Sequence, residues 1–242
     1  MKYTGGVISE KGDYRQKNQD RATFITPADL GGRVALGCVF DGIGSFADSE
    51  ISAEMMLKGI EAWAAGVGNL YPTVYDSCTL ADDLFETISE LNEAVFDYRQ
   101  DNSADIGCTL SVFLAVDAEF FAFHVGDSRI YKIGEEMEQI SKDEVAVVEK
   151  DGKLRNLLAN YIGKQREVWI NRYYGSIEAG DVFLLCSDGL YKRVKREDFS
   201  LARISGKSNG AIESECKKMV ELVYERGEKD NVSCVLLSAN AK

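Results

Sequence analysis

The stretch Val34-Ala35-Leu36-Gly37-Cys38-Val39-Phe40-Asp41-Gly42 decides the fold. The run before Asp41 is too short for a typical helix, is rich in β-branched and aromatic residues, and does not alternate with polar residues, which predicts a strand buried on both faces. The same character recurs in the runs 110–116, 120–125, 182–186 and 232–237. Because sheets built from such strands need cover on both faces, the sequence predicts a layered domain of helices and sheets.

Helices that could provide this cover are visible as apolar stripes. One stripe has the helical spacing of three and four residues and consists of Leu80, Leu84, Ile88, Leu91, Val95 and Tyr98. A second, near the C-terminus, consists of Ile212, Cys216, Met219 and Val223. A third helix is predicted from about residue 49 to residue 65, directly after the Asp41-Gly42 turn.

Length and charge narrow the possible functions. A chain of 242 residues with 45% hydrophobic residues predicts one domain over residues 1–242. The net charge of -12 would repel a nucleic acid. Neither a signal peptide nor an apolar run of roughly 20 residues is present, so we expect a soluble, cytoplasmic protein with no membrane partner. We also expect a monomer.

Cysteine and histidine contribute little to the predicted chemistry. The six cysteines form no CxxC pair, and we interpret them as buried free thiols. His124 is the only histidine, which excludes histidine-rich zinc sites. It lies within an apolar run, so we interpret it as a structural residue of the core.

Aspartates recur where the apolar strands begin or end, as Asp41-Gly42, Asp127, Asp188-Gly189 and Asp230-Asn231. Each one alone is most simply a turn residue, and Asp151-Gly152 is interpreted as nothing more. If the four met at one edge of the sheets, they would repel one another unless a cation neutralised them. Ligation by oxygen alone favours Mg²⁺ or Mn²⁺.

The order of these motifs adds a resemblance. Gly126-Asp127-Ser128-Arg129 and Ser187-Asp188-Gly189-Leu190 lie between an upstream Asp41-Gly42 and a downstream Asp230-Asn231. The chain thereby resembles the protein phosphatase 2C family in its bacterial form. The resemblance spans nearly the whole chain, in segments 12–20, 39–44, 107–109, 124–129, 185–190 and 230–232.

The resemblance implies a fold and a site. The implied fold is α+β, a four-layer α/β/β/α sandwich with two central antiparallel sheets flanked by helices. The implied site holds two Mn²⁺ or Mg²⁺ ions, with a third, weaker site. The family assigns metal ligation to Asp41, which bridges both ions, the carbonyl of Gly42, Asp188, Asp230 and, at the third site, Asp127. It assigns Asp20 to orientation of the attacking water and Arg15 to the substrate phosphate.

The implied function is hydrolysis of phosphoserine and phosphothreonine in proteins by a metal-bridging hydroxide. Its substrates would be phosphorylated proteins of a serine/threonine kinase. The alternatives are a pseudophosphatase or phosphoprotein-binding module with the same fold, and a structural metal-binding domain. Gln19, Ile43 and Ser45 depart from the family pattern and favour the pseudophosphatase, whereas the intact aspartates and Arg15 favour the enzyme.

Two further stretches bear on substrate access. The stretch 141–177 is shorter than the usual flap of the family, which implies a more open site. Directly after Asp188 comes a basic cluster that could steer phosphorylated segments, although a solvated surface is the commoner explanation. This cluster consists of Lys192, Arg193, Lys195 and Arg196.

Overall fold

The computed structural model describes residues 1–27, 30–70, 76–150 and 153–241. Twelve strands are assigned in this part of the chain: β1 Lys2–Glu10, β2 Arg21–Ile25, β3 Val34–Phe40, β4 Leu110–Val116, β5 Glu119–Val125, β6 Arg129–Ile133, β7 Met137–Gln139, β8 Val145–Lys150, β9 Lys153–Leu158, β10 Asn171–Ser176, β11 Val182–Cys186 and β12 Val232–Asn240. The helices are α1 Ser49–Leu70, α2 Ser77–Asp101, α3 Asp188–Tyr191, α4 Leu201–Ile204 and α5 Asn209–Glu225.

Ten of these strands form two antiparallel sheets. Sheet I has the order β1-β12-β11-β6-β7, and sheet II has the order β10-β5-β4-β3-β2. Strands β8 and β9 form a separate hairpin. In sheet I the last strand lies between β1 and β11, with Lys2 opposite Asn240 and Cys186 opposite Cys234.

The two sheets pack face to face over an inter-sheet core that contains Phe113, Phe120 and Phe183. The ring centroids of Phe113 and Phe183 are 4.6 Å apart, and those of Phe113 and Phe120 are 5.1 Å apart. Helices α1 and α2 cover the outer face of sheet II, and α4 and α5 cover that of sheet I. The predicted α/β/β/α order is therefore confirmed.

Helix α2 shows why the sequence forms these covering layers. The carboxylate of Asp76 accepts a hydrogen bond from the Thr79 amide at 2.7 Å and caps the first turn. Along the predicted stripe Leu80, Leu84, Ile88 and Val95 are buried, whereas Tyr98 is 36% exposed at the end. Helix α5 buries its predicted stripe against sheet I. It approaches β1 so closely that a Cβ on Gly6 would lie 2.3 Å from the Glu213 amide nitrogen.

Several boundaries refine the sequence predictions. The predicted strands 34–40, 110–116 and 182–186 agree with the structure, while β12 continues to Asn240 and α1 to Leu70. All six cysteines are free and five are buried, but Cys78 is exposed, so its interpretation as a buried thiol was wrong. Asp151-Gly152 lies outside the described residues. Of the helices described, none combines the length and hydropathy needed to cross a bilayer.

Candidate metal centre

One end of the sandwich contains a cavity of about 140 Å³, here called the aspartate cavity. It is lined by Asp41, Gly42, Ile43, Gly44, Thr109, Asp127, Leu158, Asp188 and Asp230. Asp41 and Asp127 follow strands of sheet II, whereas Asp188 follows β11 of sheet I and Asp230 precedes β12. Both sheets thus deliver carboxylates to the same edge. A larger groove of about 780 Å³, beside β1 and α5, contains none of these aspartates.

The Asp41-Gly42 loop is fixed by backbone contacts with the start of β4. The Asp41 amide donates to Thr109 Oγ1 at 3.0 Å, and the Thr109 amide donates to the Asp41 carbonyl at 2.8 Å. At Gly42 a Cβ would lie 2.6 Å from the Gln19 carbonyl oxygen, so only glycine fits. The loop therefore presents the Asp41 side chain from a rigid support.

Asp20 lies behind the cavity wall and is 1% exposed. Its Oδ2 has no hydrogen-bond partner among the described residues. Burial, reinforced by the charge of Asp188, raises the pKa of Asp20 to about 7, although the nearby Ser233 and Ser187 hydroxyls act against this rise. A buried carboxylate oxygen without a partner is costly, and a cation or an ordered water would satisfy it.

The pKa values of Asp41 and Asp127 are raised as well. Burial raises the pKa of Asp41 well above its usual range, and the charges of Asp20 and Asp188 raise it further. Burial and the charge of Asp188 raise the pKa of Asp127 to about 6. Carboxyls that hinder one another's ionisation favour a bound cation, and their oxygen-only character fits Mg²⁺ or Mn²⁺.

Within the described residues, no three acidic, histidine or cysteine side chains already form a cluster that could hold a metal ion. Two of the cavity aspartates are instead paired with cationic side chains of the protein. Arg15 donates from Nε and Nη2 to the two carboxylate oxygens of Asp230 at 2.8 and 2.7 Å. Lys192 Nζ lies 2.5 Å from Asp188 Oδ2.

Arg15 therefore lies next to a cavity carboxylate, and its guanidinium is paired with it. It also approaches Gly44, where a Cβ would be 3.1 Å from Nη2. The hydrogen bonds to Asp230 raise the pKa of Arg15 further, so the group stays cationic. A planar, permanently charged donor pair of this kind can bind phosphate oxygens as well as a carboxylate.

The residues that depart from the family pattern are placed as follows. Gln19 donates from Nε2 to the Phe46 carbonyl at 3.0 Å, a contact that a glutamate could not make. Ile43 lies on the cavity wall, and its amide donates to the Gly107 carbonyl at 3.0 Å. Ser45 is exposed. In the shortened flap region, Leu158 at the end of β9 reaches the cavity wall.

His124 is a core residue, as its place in an apolar run predicts. It is fully buried, with Nε2 3.0 Å from the Gly126 carbonyl and Nδ1 3.2 Å from Ser111 Oγ. Burial lowers its pKa, so the ring is neutral near pH 7. It supports the turn before Asp127 and leaves the cavity to oxygen ligands.

Sequence reasoning missed the hydroxyls that surround the buried carboxyls. Thr109 Oγ1 contacts Ser128 Oγ at 2.6 Å, and Ser187 Oγ accepts a hydrogen bond from the Ser233 amide at 3.0 Å. Small hydroxyl residues beside an aspartate carry no distinctive pattern. The Asp188–Lys192 pair did leave a signal, because residues four apart on a helix are neighbours.

Comparison with known sequences gives a consistent result. Residues 13–235 match the family described as "Protein phosphatase 2C". The protein phosphatase PhpP of Streptococcus pneumoniae is 26% identical over 250 residues, which cover 97% of this chain and 96% of that protein. The serine/threonine phosphatase stp of Listeria innocua is 22% identical, over 96% of this chain and 94% of that protein.

Solved structures show the same fold. The serine/threonine phosphatase Stp1 from Staphylococcus aureus superposes with a TM-score of 0.81 at 21% identity and covers 100% of this chain and 98% of that one. The serine/threonine phosphatase PstP/Ppp of Mycobacterium tuberculosis superposes with a TM-score of 0.76 at 22% identity and covers 100% of both chains.

Proposed function

This chain belongs to the protein phosphatase 2C family, and from that membership we propose that it is a metal-dependent protein serine/threonine phosphatase. Its relatives PhpP and stp are named as protein phosphatases, and stp as a serine/threonine phosphatase. The observation that carries the proposal is the aspartate cavity, where both sheets bring carboxyls together and where burial and neighbouring charge raise the pKa values of Asp41 and Asp127.

The donor set suits two Mn²⁺ or Mg²⁺ ions, held by Asp41, the Gly42 carbonyl, Asp188 and Asp230. Asp127 is the candidate for a third, weaker site. When bound, a pair of divalent cations would supply hydroxide by lowering the pKa of water and would neutralise charge on the phosphoryl oxygens. No phosphoenzyme is then required, which agrees with the burial of most cysteines.

The side chains of the protein supply position and charge. Arg15, at the rim, would exchange its carboxylate partner for two phosphate oxygens of the substrate. Asp20, beside Asp41, would orient the attacking water by accepting its hydrogen bond. Ile43 offers no proton to the leaving alkoxide, so that proton would come from water.

We extend the proposal to the physiological setting. The chain would act as a single catalytic domain over residues 1–242 and as a cytoplasmic monomer. Its substrates would be proteins phosphorylated by a serine/threonine kinase. The rival function is a pseudophosphatase that binds phosphoproteins without turnover, and the Gln19–Phe46 contact favours it because that side chain is committed to the loop.

Manganese-dependent hydrolysis of p-nitrophenyl phosphate and of a phosphothreonine peptide tests the proposal. We expect turnover by the wild type and a loss of at least about a hundredfold in Asp41→Asn and Asp188→Asn, since both remove a proposed ligand. Asp82→Asn is the matched control, because Asp82 pairs with Arg172 on the surface.

Two outcomes would contradict the proposal. Absence of turnover by the wild type at millimolar Mn²⁺ would support the pseudophosphatase. Turnover that survives both ligand substitutions would show that other carboxylates hold the ions.

A further inference from the structure

The basic cluster after Asp188 divides into one residue at the aspartate cavity and three with local partners. Arg193 donates to Glu228 at 3.0 Å, and Lys195 pairs with Glu197 at 3.8 Å. Arg196 donates to the Gly134 and Phe199 carbonyls at 2.7 and 2.8 Å. Lys192 alone of the four is paired with a cavity carboxylate.

The position of Lys192 is set by the short helix α3. Its amide donates to the Asp188 carbonyl at 3.2 Å, and its ammonium folds back to the carboxylate of the same residue at 2.5 Å. The ammonium is thereby held against Asp188, which lines the aspartate cavity together with Asp127.

Arg129, two residues after Asp127 in the chain, is paired with other side chains. Its guanidinium binds both oxygens of Asp143, with the closest contact at 2.7 Å, and lies 3.8 Å from the centroid of the Tyr191 ring. Lys192 is thus the cation held next to Asp188, at the cavity that Asp188 shares with Asp127.

The charge balance at the cavity suggests a role for the Lys192–Asp188 pair. Asp20, Asp41, Asp127, Asp188 and Asp230 are five carboxyls, and two divalent cations leave one negative charge when all are ionised. Arg15 is reserved for the phosphate in the proposed function. The remaining negative charge favours a further cation beside Asp127 and Asp188, and that cation can be a metal ion or a side chain.

We propose that the Lys192 ammonium is the tethered cation that neutralises Asp127 and Asp188, so that the protein takes two metal ions and no third. This inference rests on the proposed binuclear site. It narrows that proposal, because Asp127 then serves as the partner of a lysine, where the family resemblance implies a third-ion ligand.

The test counts bound Mn²⁺ by equilibrium dialysis and isothermal titration calorimetry, without substrate, in the wild type and in Lys192→Met. The wild type should bind two ions and Lys192→Met three, because the neutral side chain uncovers both aspartates. Lys192→Arg should bind two ions, as the wild type does. The double variant Lys192→Met, Asp127→Asn should also bind two, because the third ion loses a ligand.

Lys58→Met is the matched control. Lys58 also pairs with an acidic residue four positions away, Glu54 at 3.1 Å, but on the surface of α1, so two ions are expected. Three ions in the wild type, or two in Lys192→Met, would overturn the inference and leave the phosphatase proposal intact. Fewer than two ions in the wild type would overturn both, and p-nitrophenyl phosphate turnover measured in parallel reports on the phosphatase proposal alone.

Discussion

The inter-sheet core and the aspartate cavity are made by the same strands with opposite chemistry. Between the sheets, Phe113 of β4 packs on Phe183 of β11 with both side chains fully buried. Beyond the end of the same β11, Asp188 lines the cavity with Asp41 and Asp127, and its charge hinders the ionisation of both. The inter-sheet core stabilises the fold. The aspartate cavity destabilises it, because it holds carboxyls that repel one another close together.

This comparison predicts that damage to the inter-sheet core lowers stability without altering the chemistry. Phe113→Ala should lower the free energy of unfolding by about 3–5 kcal/mol, because it removes a fully buried ring from between two others. Urea denaturation measures the loss. Turnover per folded molecule should stay near the wild-type value, and a loss of stability below about 1 kcal/mol would mean that the core repacks.

In the metal-free protein, the buried carboxyls at the aspartate cavity should make the free energy of unfolding depend on pH. Asp20 has a folded pKa of about 7 against roughly 3.9 when unfolded, so the folded state holds the extra proton. The contribution of Asp20 to the free energy of unfolding is fully present below the unfolded-state pKa and is lost as pH rises through the folded-state pKa. We expect a loss of about 2 kcal/mol between about pH 5.5 and about pH 8.

Thermal unfolding in chelator across this range measures the effect, and the raised pKa of Asp127 adds to it in the same direction. Asp20→Asn should flatten the profile, and saturating Mn²⁺ should remove most of it. A metal-free protein that becomes more stable with rising pH would contradict the assignment.

The smallest expected effect comes from a substitution of Gln19, which packs against Gly42 of the Asp41-Gly42 loop. Gln19→Glu should lower metal-free stability by about 1 kcal/mol, because the hydrogen bond to the Phe46 carbonyl is lost. It should raise Mn²⁺ affinity severalfold, because it adds a carboxylate beside the Asp41-Gly42 loop. Titration calorimetry measures the affinity.

Gln165→Glu is the control for this substitution, since Gln165 also donates to a backbone carbonyl, that of Glu167, but on the exposed surface. Equal Mn²⁺ affinity in wild type and Gln19→Glu would show that residue 19 does not contribute to the metal site.

The strands that sequence predicted best are those buried on both faces. Strands β3, β4 and β11 were predicted to the residue because their apolar runs are continuous. Strand β1 was missed because it contains Gly5 and Gly6 and is only partly buried. Strand β10 was missed because it lies at an edge of sheet II, where every second residue is exposed.

The aspartates of the cavity could be predicted from the sequence, but their ion pairs and raised pKa values could not. Asp-Gly and Asp-Asn turns after apolar strands leave a local signature, and their order along the chain added the resemblance. The Arg15–Asp230 pair joins residues 215 positions apart, so no local pattern announces it. The same holds for the raised pKa of Asp20, which depends on burial by strands from both ends of the chain.

The place of β12 has a consequence for biosynthesis. This strand fills the gap between β1 and β11, and Asp230 immediately precedes it. Until β12 has emerged, a nascent chain on the ribosome therefore lacks both the strand that joins β1 to the rest of sheet I and one wall of the cavity. Such late closure makes folding slow and non-local. A translation product interrupted before Asp230 would also lack one of the proposed metal ligands.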